Sequence, residues 1–263
     1  MLLNTQQFNA SGSHTLVVLH GLFGAQDNWR SQTLVWAQDR HVITMDLRNH
    51  GMSAHDPLIN YASMSEDVLE SLDLLNLEQV DLLGHSMGGK VAMQLAFNHP
   101  QRLRSLLVAD IAPVAYEPNH QRILAGLNSI DLAALKSRKQ ALDLLMEYEP
   151  DARVCQFLLK SLYKNEVGQF DFRYNLTAIN ENYQAINAAP EIDVLSGEPG
   201  YTGPTLVLKG SNSKYILPQH KPAFDTLLPN SQLKIMADCG HWLHAEKPEL
   251  FCRLVTRFLD SLV

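Results

Sequence analysis

The chain has 263 residues, of which 46% are hydrophobic and 19% are charged, as in a folded domain large enough for a substantial core. Its formal net charge of −7 argues against a nucleic-acid-binding protein, which usually presents a basic face. The three cysteines are odd in number and irregular in spacing, so no disulfide framework is expected. The start lacks the features of a signal peptide, and no window approaches the roughly 18 apolar residues of a membrane span. We therefore expect a cytoplasmic protein with neither a membrane nor a nucleic acid as its partner.

Short apolar runs rich in valine, isoleucine and leucine predict strands that are covered on both faces, as in a parallel sheet. These runs are 15–21, 41–47, 79–86, 103–112, 204–210 and 231–238. Helical patterns occupy the intervals 61–76, 87–98, 218–228 and 246–262. The alternation predicts an α/β fold with an open, doubly wound and mostly parallel sheet.

One long interval carries no convincing core strand. Residues 116–200 predict a mostly helical insert, in which only GQFDFRYN has an extended character. The core is then divided into a first part, 1–115, and a second part, 201–263. Ligand sites in open α/β sheets lie at the carboxyl ends of the strands, so an insert that leaves from this edge is expected to cover the site as a cap.

The stretch LLGHSMGGK contains a G-x-S-x-G motif, Gly84 to Gly88, between a predicted strand and a predicted helix. A serine nucleophile at such a sharp turn needs small residues two positions before and after it, which makes Ser86 the candidate nucleophile. Gly84 to Lys90 also fits G-x-x-x-x-G-K, the start of a phosphate-binding loop. That motif continues with serine or threonine, whereas Val91 follows here, so this alternative is disfavoured.

A second loop, HGLFG at 20–24, also follows a predicted strand. Acyl transfer needs two backbone N–H groups aimed at the developing negative charge. One comes from the residue after the nucleophile, Met87, and the other from a loop of this kind. Leu22 is the candidate donor, with Phe23 as the alternative, and His20 is expected to hold the loop by hydrogen bonds.

Eleven histidines are present, and the segment ADCGHWLHAEKPE offers two candidates for the general base. His241 follows the last predicted strand and can therefore reach Ser86 at the same sheet edge. His244 lies nearer the start of the next helix and is expected to pack below His241. The set Cys239, His241, His244 and Glu246 could be read as metal ligands, but the spacing matches no established zinc pattern.

The base needs a third group that holds its ring in one tautomer. In other chains with this pattern of strands, the loop that corresponds to the one after 204–210 often carries a carboxylate. Here residues 210–214 (GSNSK) of that loop include no acid. Asp110 ends the strand that follows the nucleophile's helix, and the chain order Ser86, Asp110, His241 is the usual one. Asp110 is therefore the candidate acid.

Three other aspartates are weaker candidates than Asp110. Asp46 is expected to form an ion pair with nearby Arg48. Asp238 is too close in sequence to His241 to face it easily, and Asp225 lies within a predicted helix.

These motifs resemble those of the α/β-hydrolases, and more closely those of the YbfF-like esterases. The matching stretches are HGLFG with the following DNW, MDLRNHGMS, GHSMGGK, ADIAP and GHWLHAEKP. The resemblance implies an α/β-hydrolase fold with a helical cap inserted after strand six, and a triad of Ser86, Asp110 and His241. It implies a serine carboxylesterase acting on small or medium acyl esters, with acyl-CoA thioesters as a further substrate class and with no metal or organic cofactor.

Other readings of the fold remain open, because one fold hosts many chemistries. They are a thioesterase, a C–C bond hydrolase, a perhydrolase and a non-catalytic ligand receptor. The basic residues Arg48, Lys160 and Lys214 are candidate contacts for a phosphorylated leaving group such as CoA.

Specificity is expected to lie in the insert, where eight residues are candidate walls of an acyl site. The alternative for each is that it packs the insert's own core. The eight are Tyr116, Leu124, Phe157, Leu158, Leu162, Phe170, Phe172 and Tyr183.

Overall fold

The computed structural model describes residues 1–192 and 200–262, so residues 193–199 of the predicted insert lie outside the described residues. Nine strands are present in this part of the chain. They are β1 Thr5–Phe8, β2 Ser13–Leu19, β3 Arg40–Met45, β4 Val80–His85, β5 Leu103–Ala109, β6 Leu162–Lys164, β7 Phe170–Phe172, β8 Thr205–Gly210 and β9 Ser231–Met236.

Seven strands form the main sheet in the order β1-β3-β2-β4-β5-β8-β9. All neighbours pair in parallel except β1 and β3, so the predicted doubly wound, mostly parallel sheet is confirmed. The six predicted strands correspond to β2, β3, β4, β5, β8 and β9. The edge strand β1 was not predicted, because TQQF has no buried run and its residues are half-buried or exposed.

Eleven α-helices accompany the strands within residues 1–192 and 200–262. They are α1 Arg30–Trp36, α2 Tyr61–Leu74, α3 Met87–Asn98, α4 Gln121–Asn128, α5 Arg138–Leu145, α6 Ala152–Leu158, α7 Leu176–Glu181, α8 Tyr183–Asn187, α9 Lys221–Leu227, α10 Leu243–Glu246 and α11 Pro248–Asp260. The predicted helix 246–262 is divided, because Pro248 cannot continue a helix but suits the first turn of a new one. The short helix α1 was not predicted. In the part of the chain that the structure describes, no helix is long and apolar enough to cross a bilayer.

The two faces of the sheet are covered by different helices. Along β2, Val17 and Leu19 join a core cluster with residues of α2, α3 and the insert. The alternate residues Leu16 and Val18 join a second cluster with Trp29, Trp36 and residues of α11. Because side chains alternate across a strand, both faces of the sheet are apolar and both are buried.

Between β5 and β8 the described chain forms α4 to α8 and a hairpin of β6 and β7. Leu162 pairs with Phe172 and Lys164 with Phe170, so the segment with extended character is a strand. The insert is therefore helical with a small hairpin. It follows the strand that leads to Asp110, as predicted; this strand is the fifth along the described chain rather than the sixth.

The predicted ion pair between Asp46 and Arg48 is wrong. Arg48 donates to both carboxylate oxygens of Asp67 on α2, at 2.5 and 2.8 Å, and both side chains are buried. Asp46 instead accepts the backbone N–H groups of Gln26 and Met52, at 2.8 and 2.9 Å. Asp46 therefore ties together the loops that follow β2 and β3, and Arg48 fixes the second loop to α2.

We predict that Arg48→Met lowers the free energy of unfolding by about 3 kcal/mol, because removing one partner leaves a buried carboxylate poorly compensated. Lys221→Met is the matched control, since Lys221 and Asp225 form an exposed ion pair and its loss should cost less than about 0.5 kcal/mol. Urea denaturation of both variants measures the difference. Equal losses in the two variants would contradict a structural role for the buried pair.

Candidate active site

Ser86 lies at the turn between β4 and α3 with φ 52° and ψ −119°, a backbone conformation that L-residues rarely adopt. The neighbouring glycines make this turn sterically feasible. A Cβ at Gly84 would stand 2.1 Å from the Gly88 carbonyl oxygen, and one at Gly88 would stand 2.4 Å from the His20 carbonyl oxygen. The G-x-S-x-G spacing is thus a packing requirement, and it exposes the hydroxyl at the carboxyl end of the sheet.

The structure brings the three candidate triad residues into one hydrogen-bonded chain. His241 Nε2 lies 2.9 Å from Ser86 Oγ, and His241 Nδ1 lies 2.8 Å from Asp110 Oδ2. The Asp110 side chain is fully buried, whereas that of His241 is 21% exposed. A buried carboxylate facing one ring nitrogen favours a proton on Nδ1, which leaves Nε2 as an acceptor for the serine proton.

Asp110 receives further hydrogen bonds from the loop after β8. The Gly210 N–H donates to Asp110 Oδ1 at 3.0 Å, and the Ser213 hydroxyl donates to Oδ2. The loop that carries no acid therefore supplies donors to an acid on the neighbouring strand. Donation by several groups stabilises the ionised form of a buried carboxylate.

Of the three candidate oxyanion donors, Phe23 is already occupied, because its N–H donates to His50 Nε2 at 3.2 Å. Within residues 1–192 and 200–262, the Leu22 and Met87 N–H groups donate no hydrogen bond. Both residues border the space beside Ser86. His20 holds the loop as expected, since Nδ1 donates to the Gly21 carbonyl at 2.8 Å and Nε2 accepts the Leu47 N–H at 3.0 Å.

Two more histidines support the loop that carries His241. His85 Nε2 donates to the His241 carbonyl at 2.8 Å, and burial lowers the pKa of His85 well below its usual value. His244 stacks on Trp29 with ring centroids 4.4 Å apart, and burial lowers its pKa to about 3. Both rings are therefore neutral near pH 7, and the packed His244 is not placed to act on Ser86.

Lys90, the last residue of the alternative phosphate-loop motif, lies in the core. Its ammonium donates to the carbonyls of Asn187 and Ala188, at 3.2 and 2.5 Å, and lies 4.7 Å from the Tyr116 ring centroid. Burial lowers the pKa of Lys90 to about 7. A lysine held in this way faces the end of the insert and is not available to a nucleotide phosphate.

Two side chains that sequence reasoning missed complete the surroundings of the base. The Tyr215 ring stacks on His241 with centroids 3.9 Å apart, and its hydroxyl lies 3.3 Å from His120 Nε2. Burial lowers the pKa of His120 to about 4. The sequence signals Tyr215 only as an aromatic residue in the loop that follows the strand 204–210. Contacts between distant segments leave no local pattern in the sequence.

A cavity of about 230 Å³ opens next to Ser86 and His241. Of the eight predicted wall residues, Phe157 and Leu158 line this cavity, and Tyr116 borders a smaller space beside Ser86. The structure does not bring the other five to the cavity. These are Leu124, Leu162, Phe170, Phe172 and Tyr183, which all join the main apolar core cluster. His120, Tyr215 and Trp242 line the cavity but were not predicted.

A larger open groove of about 930 Å³ lies between the insert hairpin and the loop after β3, and Ser86, Asp110 and His241 do not border it. We therefore assign the candidate active site to the smaller cavity.

In the described part of the chain, no group of three or more His, Cys, Asp or Glu side chains is arranged to hold a metal ion. Two of the four possible metal ligands named from the sequence form hydrogen bonds within the chain. The Cys239 thiol donates to the Met236 carbonyl, and the Glu246 carboxylate accepts the Gly240 N–H.

Comparison with known proteins assigns the chain to one protein family. A family model described as the alpha/beta hydrolase fold matches residues 14–248. Esterase YbfF of Escherichia coli (strain K12) is 33% identical over an alignment that covers 99% of this chain and 100% of the relative. The sn-1-specific diacylglycerol lipase ABHD11 of Mus musculus is 38% identical, with 93% of this chain and 80% of the relative covered.

A solved structure described as a marine microorganism esterase superimposes with a TM-score of 0.93. It is 35% identical to this chain, and the alignment covers 98% of this chain and 99% of that one. The chain therefore belongs to the α/β-hydrolase family, as a YbfF-like hydrolase of the esterase and lipase type.

Proposed function

We propose that the protein is a serine carboxylesterase that cleaves small or medium acyl esters through a triad of Ser86, His241 and Asp110. The observation that carries this proposal is the continuous hydrogen-bonded chain from Ser86 Oγ through the His241 ring to Asp110, next to a cavity. A nucleophile, a base and a group that orients the base are the three parts that acyl transfer needs.

In the proposed mechanism, His241 Nε2 takes the proton of Ser86 Oγ as the oxygen attacks the ester carbonyl. The Leu22 and Met87 N–H groups hold the negative oxygen that forms. Asp110 stabilises the imidazolium, which then gives its proton to the leaving alcohol. A water molecule, deprotonated by His241, attacks the acyl-enzyme in the same way and releases the acid together with free Ser86.

The size of the cavity and the positions of the basic residues favour simple esters over CoA thioesters as substrates. A cavity of about 230 Å³ is smaller than the roughly 300–1,000 Å³ typical of sites for drug-sized ligands, which favours short acyl groups. Of the basic residues considered for CoA, Arg48 is held by Asp67, and neither Lys160 nor Lys214 lines the cavity.

A second candidate substrate class is diacylglycerol, because several relatives carry the name sn-1-specific diacylglycerol lipase at 35–38% identity. In either case we propose that the insert forms a cap, since Phe157 and Leu158 of α6 line the cavity beside Ser86.

We predict that the wild-type protein hydrolyses p-nitrophenyl butyrate faster than p-nitrophenyl palmitate, because the cavity is small. Ser86→Ala should lower kcat by about 10⁴-fold or more and abolish covalent labelling by a fluorophosphonate probe. Ser11→Ala, at an exposed serine, is the control and should retain both. Labelling of Ser86 without turnover would contradict the esterase and favour a receptor.

We predict that Asp110→Asn lowers kcat by roughly 10³–10⁴-fold while circular dichroism stays unchanged, because the amide does not hold His241 in the required tautomer. Ser213→Ala should cost about tenfold in kcat, since Asp110 then loses one of its three donors. Ser213→Thr, which keeps the hydroxyl, should restore most of that loss. A near wild-type rate for Asp110→Asn would remove Asp110 from the triad and return attention to Asp46, Asp225 and Asp238.

A further inference from the structure

The lining of the cavity at Ser86 is strongly biased in charge. Among the described residues that line it, Glu149 is the one acidic residue, and no lysine or arginine is present. Burial lowers the pKa values of four of the five histidines in the lining, so these four add no compensating positive charge. His241, the fifth, is hydrogen-bonded to Asp110.

Glu149 is held in the turn between α5 and α6. Its Oε1 accepts the Asp151 N–H at 2.9 Å, and its side chain is half-buried. In the described chain it forms no ion pair with a lysine or arginine, because the nearby Arg153 is bound by Asp151 at 2.8 Å. The negative charge of Glu149 is therefore not neutralised by a neighbour.

The apolar residues that line the cavity together with Glu149 suit a cation as well. Phe157 of α6 packs against Trp242 with ring centroids 5.3 Å apart, and both rings line the cavity together with Val154. Aromatic faces attract cations, most strongly quaternary ammonium groups, and they do so best away from bulk water. A single carboxylate beside aromatic rings in a concave site also raises the local concentration of cations and lowers that of anions.

We propose that Glu149, with Phe157 and Trp242, forms a subsite that selects esters by their charge and favours cationic over neutral and neutral over anionic esters. The inference rests on the proposed esterase function and names its substrate class. No bond is made or broken by Glu149. It acts as a specificity-determining residue, because its field acts on an ester bound in the cavity while Ser86 and His241 perform the acyl transfer.

The test compares two esters of nearly equal shape, butyrylcholine and 3,3-dimethylbutyl butyrate, in which carbon replaces the charged nitrogen. We expect the wild-type kcat/KM for the choline ester to exceed that for the neutral ester by about tenfold at low salt, and the ratio to shrink as salt screens the carboxylate. In Glu149→Gln, whose amide oxygen can still accept the Asp151 N–H, the ratio should fall to about one.

Glu147→Gln is the matched control, since Glu147 lies two residues away on the exposed surface and does not line the cavity. This variant should keep the wild-type ratio. Turnover of the neutral ester without a preference for the choline ester, or an unchanged ratio in Glu149→Gln, overturns the subsite and leaves the esterase standing. Absence of turnover on both esters and on p-nitrophenyl butyrate overturns the esterase, and the subsite with it.

Discussion

The arrangement around Ser86 depends on one buried carboxylate. Asp110 has no exposed surface, so its charge must be balanced by hydrogen bonds. Its three donors come from three places: the Gly210 N–H at the end of β8, the Ser213 hydroxyl in the following loop, and His241 beyond β9. These contacts join the last two strands to β5 at the sheet edge where Ser86 is exposed. The need to solvate Asp110 and the need to orient His241 are met by the same set of bonds.

The remaining polar groups near Ser86 are arranged so that they do not compete with this chain. His85 is neutral and donates to the His241 carbonyl, which fixes the position of the base without adding charge. His244 is buried against Trp29, and Lys90 is turned toward the insert. These three side chains thus leave the hydrogen bonds from Ser86 to His241 and from His241 to Asp110 intact.

Features of the chain that follow from local steric rules could be predicted from the sequence. The turn at Ser86 needs glycines at 84 and 88, and the alternation of apolar runs and helical patterns requires a sheet covered on both faces. Asp110 could be selected because strand order places it at the same sheet edge as Ser86. The structure brings Ser86 and Asp110 together with His241 in one hydrogen-bonded chain.

Other features depend on contacts between distant segments, which leave no periodic signal. The partner of Arg48 is Asp67 on α2 rather than the nearby Asp46. Ser213 contacts Asp110 and Tyr215 contacts His241 because β8, which precedes their loop, pairs with β5. Most of the predicted wall residues turn inward to pack the insert, because aromatic and aliphatic residues of a small subdomain are needed for its own core.

The insert lies between Asp110 and β8, whereas Ser86, Asp110 and His241 each follow a strand of the main sheet. Of the residues that line the cavity beside them, Glu149 and Phe157 belong to the insert, and Trp242 follows β9. Part of the cavity lining is thus encoded in a stretch of the gene that contains none of Ser86, Asp110 and His241. Mutations in the insert can therefore change the lining of the cavity while the hydrogen-bonded chain of these three residues is inherited unchanged.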